Sequence, residues 1–236
     1  MKTPTEEAEL LTISKEELNE LEPETIPIPI RIITGETDDE EIREACRYLS
    51  QSAVLGFDTE TKPVFQKGQY NPVSLLQLST PEYAFLFRLS TFENKERLAP
   101  LQELLGNEQI LKVGVAIQED CTELYRDHGL VTNGTLDLRH LATADKMEVH
   151  SLSKIYALLY GKRLTKGQRL TDWEQPELTP AQVDYAGLDA YAGLKIYNAL
   201  QHLVKQEMIN CQLQTQPKKK KKKKLREKGA KKRKKK

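Results

Sequence analysis

The stretch VLGFDTETKP (54–63) sets an apolar run directly against two carboxylates, Asp58 and Glu60. Val54, Leu55 and Phe57 read as a buried strand. Side chains alternate faces along a strand, so Asp58 and Glu60 point the same way. Two like charges at the end of a buried strand repel each other and resist leaving water. Something elsewhere in the chain must offset them.

Outward from this strand the pattern alternates. IPIPIRIIT (26–34) reads as a strand whose two prolines place its start at a sheet edge. TDDEEIREACRYLSQS (37–52) is an amphipathic helix, and PVSLLQLST (72–80) and YAFLFR (83–88) are strands joined by a tight turn, hence antiparallel neighbours. A helix near 95–106 precedes the strand ILKVGVAI (110–117), and QEDCTELYRDHG (118–129) is a helix stopped by Gly129. TLDLRHLATAD (135–145) starts as a short strand and turns helical, and SLSKIYALLYG (151–161) is a helix ended by glycine. A long helix begins at Thr179-Pro180, with Gln182 completing a capping box, and runs to about residue 207; Ser14 and Glu17 form the same signature ahead of a short helix. Strands first, then helices and strands in alternation, indicate an α/β fold with a sheet of mixed direction.

At 236 residues the chain suits one domain with a full core. Residues 1–25 read as an acidic extension, 26–210 as the domain and 211–236 as a Lys-rich tail. No run of 18 apolar residues exists, so no membrane span is expected. The acidic opening MKTPTEEAELL does not read as a secretory leader. Cys46, Cys121 and Cys211 have neither metal-ligand spacing nor the look of a disulfide framework, which suits a reducing compartment: cytoplasmic, or nuclear in a eukaryote. The overall charge of +1 hides an asymmetry. Lys218–Lys236 carries 15 Lys/Arg and one Glu, net +14, while the remainder carries 21 basic and 34 acidic side chains, net −13. Such a tail self-repels and is expected to be disordered, serving either solubility or the tethering of a polyanion.

Two further acidic sites stand out. Asp120 opens a helix directly after a buried strand; helix capping alone accounts equally well for that placement, and Glu119 competes for any role. In LTPAQVDYAGLDAYAG, Tyr185 and Asp189 are four residues apart on the long helix and sit one above the other. That helix is apolar on two sides, one through Val183, Gly187, Ala190 and Leu194 and one through Leu188, Ala192, Ile196 and Leu200, so Asp189 is expected to be buried. A structural aspartate bonded into the core is the alternative. Taken together, four carboxylates at strand and helix ends, with no basic partner nearby in sequence, are best offset by divalent cations, and oxygen ligands suit Mg²⁺ or Mn²⁺. Two such ions about 4 Å apart stabilise in-line attack on a phosphodiester.

FDTET, VGVAIQED and YAGLDAYAG, in this order and at these separations, resemble the three motifs of the DEDD 3′→5′ exonucleases, most nearly the Werner-type exonuclease domains and the catalytic domain of ribonuclease D. LLQLS (75–79) and KGQRLTDW (166–173) add to the likeness, which spans roughly 28 to 207; Gly187 stands where alanine is common in the family. Tyr185, four before the last aspartate, fits the tyrosine branch, because the histidine of the other branch would fall on Asp184. The resemblance implies a ribonuclease-H-like fold, a five-stranded mixed sheet flanked by helices with its second strand antiparallel. It implies that Asp58, Glu60 and Asp189 hold one divalent cation, that Asp58 bridges to a second bound by Asp120, and that Tyr185 orients the attacking water. It also implies removal of nucleoside 5′-monophosphates from single-stranded 3′ ends of nucleic acid, with a lean toward DNA over RNA.

Lys162, Arg163, Lys166 and Arg169 precede the third motif and are candidates for phosphate contacts, with a solvated loop equally compatible. Trp173 reads as a packing anchor more than a base-stacking platform. The chain has no Gly-x-Gly, which disfavours a dinucleotide-binding enzyme. The rival to an active enzyme is an inactive nucleic-acid-binding module of the same fold.

Each phosphate neutralised contributes about −0.9 to the slope of log affinity against log salt on duplex DNA, and about −0.7 on single strands. Deleting 218–236 is therefore expected to weaken nucleic-acid binding strongly at low salt and to flatten that slope, leaving turnover at saturating substrate nearly unchanged. Affinities measured across a salt series for both chains check this; equal slopes would make the tail a solubility device.

Overall fold

The computed structural model describes residues 10–66 and 68–205. The whole Lys-rich tail expectation (211–236), the last residues assigned to the domain (206–210) and the first nine residues of the acidic extension lie outside the described residues.

Six strands form one sheet: β1 (Ile30–Ile33), β2 (Val54–Thr61), β3 (Val73–Ser79), β4 (Ala84–Phe87), β5 (Leu111–Gly114) and β6 (Thr135–Asp137), in the order β1-β4-β3-β2-β5-β6. β3 is antiparallel to both β2 and β4, and the other pairings are parallel. The expected five-stranded mixed sheet is present as β2 to β6, with its second strand antiparallel. The implied count of five is corrected to six: β1, the strand read at 26–34, adds to the free edge of β4. Pro27 and Pro29 precede it, and pairing begins at Ile30 against Ala84. A proline cannot donate to a ladder, so the strand starts after the second one.

Seven α-helices complete the layers: α1 (Lys15–Glu20), α2 (Asp39–Leu49), α3 (Ala99–Gly106), α4 (Ile117–His128), α5 (Leu138–Ala144), α6 (Leu152–Tyr160) and α7 (Pro180–Leu200) among the described residues. α2, α3 and α4 bury Ile42, Leu49, Leu101, Leu105, Ile117 and Leu124 against one face of the sheet. α5, α6 and α7 pack on the other through Leu138, Leu141, Tyr156, Leu188, Ala192 and Ile196. Both capping boxes form: Ser14 with Glu17, and Thr179 with Gln182. No described helix is long and apolar enough to cross a membrane.

Two boundaries differ from the sequence reading. β5 ends at Gly114 rather than near residue 117, because Ala116 adopts a left-handed conformation, φ 61°. That turn costs of order 1–2 kcal/mol for a residue with a Cβ. It is held by the buried Asp137, whose carboxylate accepts from the Ala116 N–H at 3.3 Å. The long helix ends at Leu200, followed by a 3₁₀ turn at Gln201–Leu203.

α7 meets the sheet most directly at Gly56. A Cβ there would lie 2.0 Å from the Ala190 carbonyl oxygen and 3.1 Å from the Leu194 Cβ. Only hydrogen lets the backbone of α7 rest directly on β2. Gly56→Ala is therefore expected to push α7 off the sheet and to destabilise the fold by more than the ~1–3 kcal/mol usual for overpacking a core. Thermal unfolding of the variant against the parent chain checks this; an unchanged midpoint would contradict the contact.

Candidate active site

β2 runs on past its parallel neighbour. The β2–β5 pairing covers Val54–Gly56, and beyond it the chain of β5 turns away into α4. Asp58 and Glu60 therefore lie on the free part of β2, at the carboxyl end of the parallel strands, where α/β sheets place their ligand crevices. Both share the face of Gly56, so they look toward α7. α7 in turn presents Asp189, adjacent to Ala190, and Tyr185 one turn earlier. Asp120 comes from the first turn of α4 on the opposite side of the sheet.

Thr59, on the opposite face of β2, donates its hydroxyl to Asp120 Oδ1 at 2.5 Å, and its backbone N–H donates to Asp58 Oδ1 at 2.9 Å. One residue thus links two of the acids. Sequence reasoning missed Thr59; its signal is the alternation itself, which puts the hydroxyl between two carboxylates in sequence and on the face of α4.

The electrostatics are those of crowded, uncompensated acids. Burial, then the charges of Asp58, Asp189 and Asp120, push Glu60 up to about 10. Burial followed by the Asp189 charge raises Asp58, which keeps an exposed edge but is enclosed by sheet and helix. Asp120 is raised by burial and by Asp58, against the opposing hydrogen bond from Thr59. Burial also raises Asp189, while Tyr185 and the charge of Lys166 work in the other direction. Tyr185 is raised above the ordinary phenol range by burial and by the surrounding carboxylates. A fifth acid at the same sheet edge, Asp137, behaves differently: Arg139 reaches it at 2.9 Å and 2.5 Å, and it caps α5. None of the four acids Asp58, Glu60, Asp120 and Asp189 has an ion pair with a base among the described residues. Their oxygen-only donor set and unneutralised charge fit a hard divalent cation. Among the described residues, no three acidic, histidine or cysteine side chains stand as a ready-made ion-binding group.

The four basic candidates divide into two pairs. Lys162 Nζ reaches Glu24 Oε1 at 3.1 Å, and Arg163 donates to the Leu21 carbonyl at 2.8 Å. Both thus bind the N-terminal segment, away from the acids. Lys166 and Arg169 are exposed and act on the acids by charge alone, on Asp189 and Glu60 respectively. Trp173 is buried 6.1 Å from the Tyr185 ring, as an anchor. Its loop is fixed by Lys62 to Asp172 at 2.9 Å, by Arg88 to the carbonyls of Gln175 and Pro176, and by Gln182 to Thr171 and Asp172. Phe65 in the β2–β3 loop is 81% exposed.

With this geometry in view, the comparisons with known proteins are specific. A sequence model of the 3′-5′ exonuclease family matches residues 33–205. The chain is similar to exonuclease 3′-5′ domain-containing protein 2 of Drosophila melanogaster, 38% identical over 163 residues, covering 68% of this chain and 27% of that protein. It is similar to the bifunctional 3′-5′ exonuclease/ATP-dependent helicase WRN of Mus musculus, 35% identical over 161 residues, covering 66% of this chain and 11% of that one. The chain thus spans about a quarter or less of these relatives. In fold it is similar to the Nibbler EXO domain of Aedes aegypti, TM-score 0.66 and 24% identity, covering 76% of this chain and 91% of that one. It is likewise similar to RNase D of Escherichia coli, TM-score 0.64 and 24% identity, covering 73% and 44%.

The pKa of Glu60 fixes a pH dependence. A carboxyl raised on folding contributes stability that is complete below its unfolded value near 4.3 and is lost as pH rises toward the folded value of about 10. In EDTA, Glu60→Gln should therefore be more stable than the parent chain at pH 8–9, with the gap closing toward pH 5. Unfolding midpoints across that range check this, and Mg²⁺ should stabilise the parent more than the variant. A gap independent of pH would mean that Glu60 ionises normally.

Proposed function

The chain belongs to the 3′-5′ exonuclease family, and on that premise we propose that it hydrolyses nucleic-acid phosphodiester bonds from single-stranded 3′ ends and releases nucleoside 5′-monophosphates. The observation that carries the reading is the set of four unpaired acids, Asp58, Glu60, Asp120 and Asp189, drawn from both faces of the sheet to one end of β2 with Tyr185 beside them. A structural role alone does not call for acids left so uncompensated; Asp137, with its arginine, shows how this fold treats a structural one.

Asp58, Glu60 and Asp189 would hold one divalent cation and Asp58 and Asp120 a second, Mg²⁺ or Mn²⁺. Bound there, the ions offset the carboxylate charge and stabilise charge on the attacking and leaving oxygens of the phosphodiester. Thr59 keeps Asp58 and Asp120 oriented from the opposite face. Tyr185, its phenol raised by burial and by the acids, stays protonated at neutral pH. Its role is to orient the attacking water through its hydroxyl, not to remove the proton. Lys166 and Arg169, whose charges act on Asp189 and Glu60, would contact substrate phosphates. DNA is proposed as the preferred polymer on the Werner-type resemblance, with RNA as the competitor to be measured beside it.

Digestion of matched 5′-labelled DNA and RNA oligonucleotides should give metal-dependent ladders shortened from the 3′ end. Asp58→Ala should abolish them, and Tyr185→Phe should lower kcat by about 10²–10⁴-fold with binding nearly intact. Cleavage that persists in excess EDTA or begins at 5′ ends would refute the assignment. Binding without cleavage in every metal would leave an inactive nucleic-acid-binding module.

A further inference from the structure

Gln77 lies in the middle of β3 and is 1% exposed, yet both its amide nitrogen and its amide oxygen lack a hydrogen-bond partner. Every residue of β3 is buried, and its neighbours in sequence are Leu75, Leu76 and Leu78. An amide buried without partners costs about 1–3 kcal/mol, and an apolar side chain of the same shape would remove that cost. Such a group is therefore an anomaly on stability grounds alone.

Its register says what it is for. Gln77 stands directly opposite Asp58 on β2 and opposite Leu86 on β4. Residues paired across antiparallel strands share a face, with Cβ atoms ~4.5–5.5 Å apart. Gln77 therefore faces α7 in the row Asp58, Gln77, Leu86, and Asp58 is the polar member beside it. Above this row α7 contributes Ala186, which packs with Leu75 and Leu86. On the same strand Ser79 already donates to the Thr80 carbonyl at 2.9 Å. Asp58 accepts at Oδ1 from the Thr59 N–H.

We propose that Gln77 is a positioning residue for Asp58. From its place opposite Asp58, its carboxamide donates to the Asp58 carboxylate when that group holds a divalent cation, and so fixes the carboxylate that the two proposed ions share. Gln77 touches neither substrate nor ion. This inference rests on the metal-dependent reading above and extends it to a residue that none of the three acidic motifs contains.

The test is Gln77→Met, which keeps length and volume and removes the hydrogen bond. Mn²⁺ alone is titrated into the parent and variant chains by calorimetry, without nucleic acid, and apo stability is measured in EDTA. Removing a ligand's hydrogen-bonded support typically weakens metal affinity by about 10–100-fold. The expected result is that loss in Mn²⁺ affinity together with an apo unfolding midpoint equal to or above that of the parent. A variant that binds Mn²⁺ as tightly as the parent overturns the proposal, leaving Gln77 as core filling or the site of a buried water. A variant whose apo form is destabilised, with Mn²⁺ affinity unchanged, overturns it in favour of a purely structural role. A parent chain that binds no Mn²⁺ overturns both this proposal and the metal-dependent reading, whereas tight parent binding with an unaffected variant overturns this proposal alone.

Discussion

The approach of α7 to β2 at Gly56 governs the rest. With a Cβ excluded by the Ala190 carbonyl at 2.0 Å, helix and strand backbones touch without intervening side chains. Asp189 adjoins Ala190 on the helix, and Asp58 lies two residues beyond Gly56 on the strand. The contact that sets the packing distance therefore also sets the separation between the acids. With side chains between them, helix and strand would stand further apart, and short aspartate side chains from the two would meet poorly. The small residues Gly56, Ala186 and Ala190 are thus part of the site although none carries chemistry.

Having brought the acids together, the fold must then hold them against mutual repulsion. It does so with neutral or remote groups. Thr59 contributes hydrogen bonds to Asp58 and Asp120, Tyr185 interacts with Asp189, and Lys166 and Arg169 contribute charge without contact. The strong cation–carboxylate pairs are placed one layer out: Arg139 on Asp137 beneath the Ala116 turn, and Lys62 on Asp172 at the loop before α7. An arginine in direct contact with Asp58 would have stabilised the empty site and competed with any cation for it. The rigid surroundings and the uncompensated centre are two sides of one arrangement.

Much of this was legible in the sequence because the governing signals are local. The run from Val54 to Glu60, the helix start at Asp120 and the Tyr185–Asp189 spacing each encode a face and an end of an element. The capping boxes at Ser14 and Thr179 encode two helix starts. What escaped depends on partners distant in sequence. The strand at 26–34 was legible, but nothing within it specifies the parallel pairing of Ile30–Ile33 with the β4 edge. β5 stops at Gly114 because Asp137, more than twenty residues later, holds the Ala116 turn. Gln77 lay unremarked within LLQLS (75–79), and only the register sets it opposite Asp58.

The basic stretch before α7 shows the same limit in functional terms. Lys162, Arg163, Lys166 and Arg169 look alike in sequence, but the acidic N-terminal segment separates them. Glu24 takes Lys162 at 3.1 Å and the Tyr156 hydroxyl at 2.6 Å, while the backbones of Glu22 and Glu24 pair with Arg163. That segment takes Lys162 into an ion pair and holds Arg163 on a backbone carbonyl, while Lys166 and Arg169 act by charge on Asp189 and Glu60, and Arg139 on Asp120. Outside Lys218–Lys236 the chain is net −13, so approach of a polyanion to this site is opposed at long range. Apart from the tail, local attraction at the site comes from Lys166 and Arg169, whose charges act on Asp189 and Glu60. An acidic extension that ties down the other two lysine and arginine side chains confines that attraction to the mouth of the acidic site.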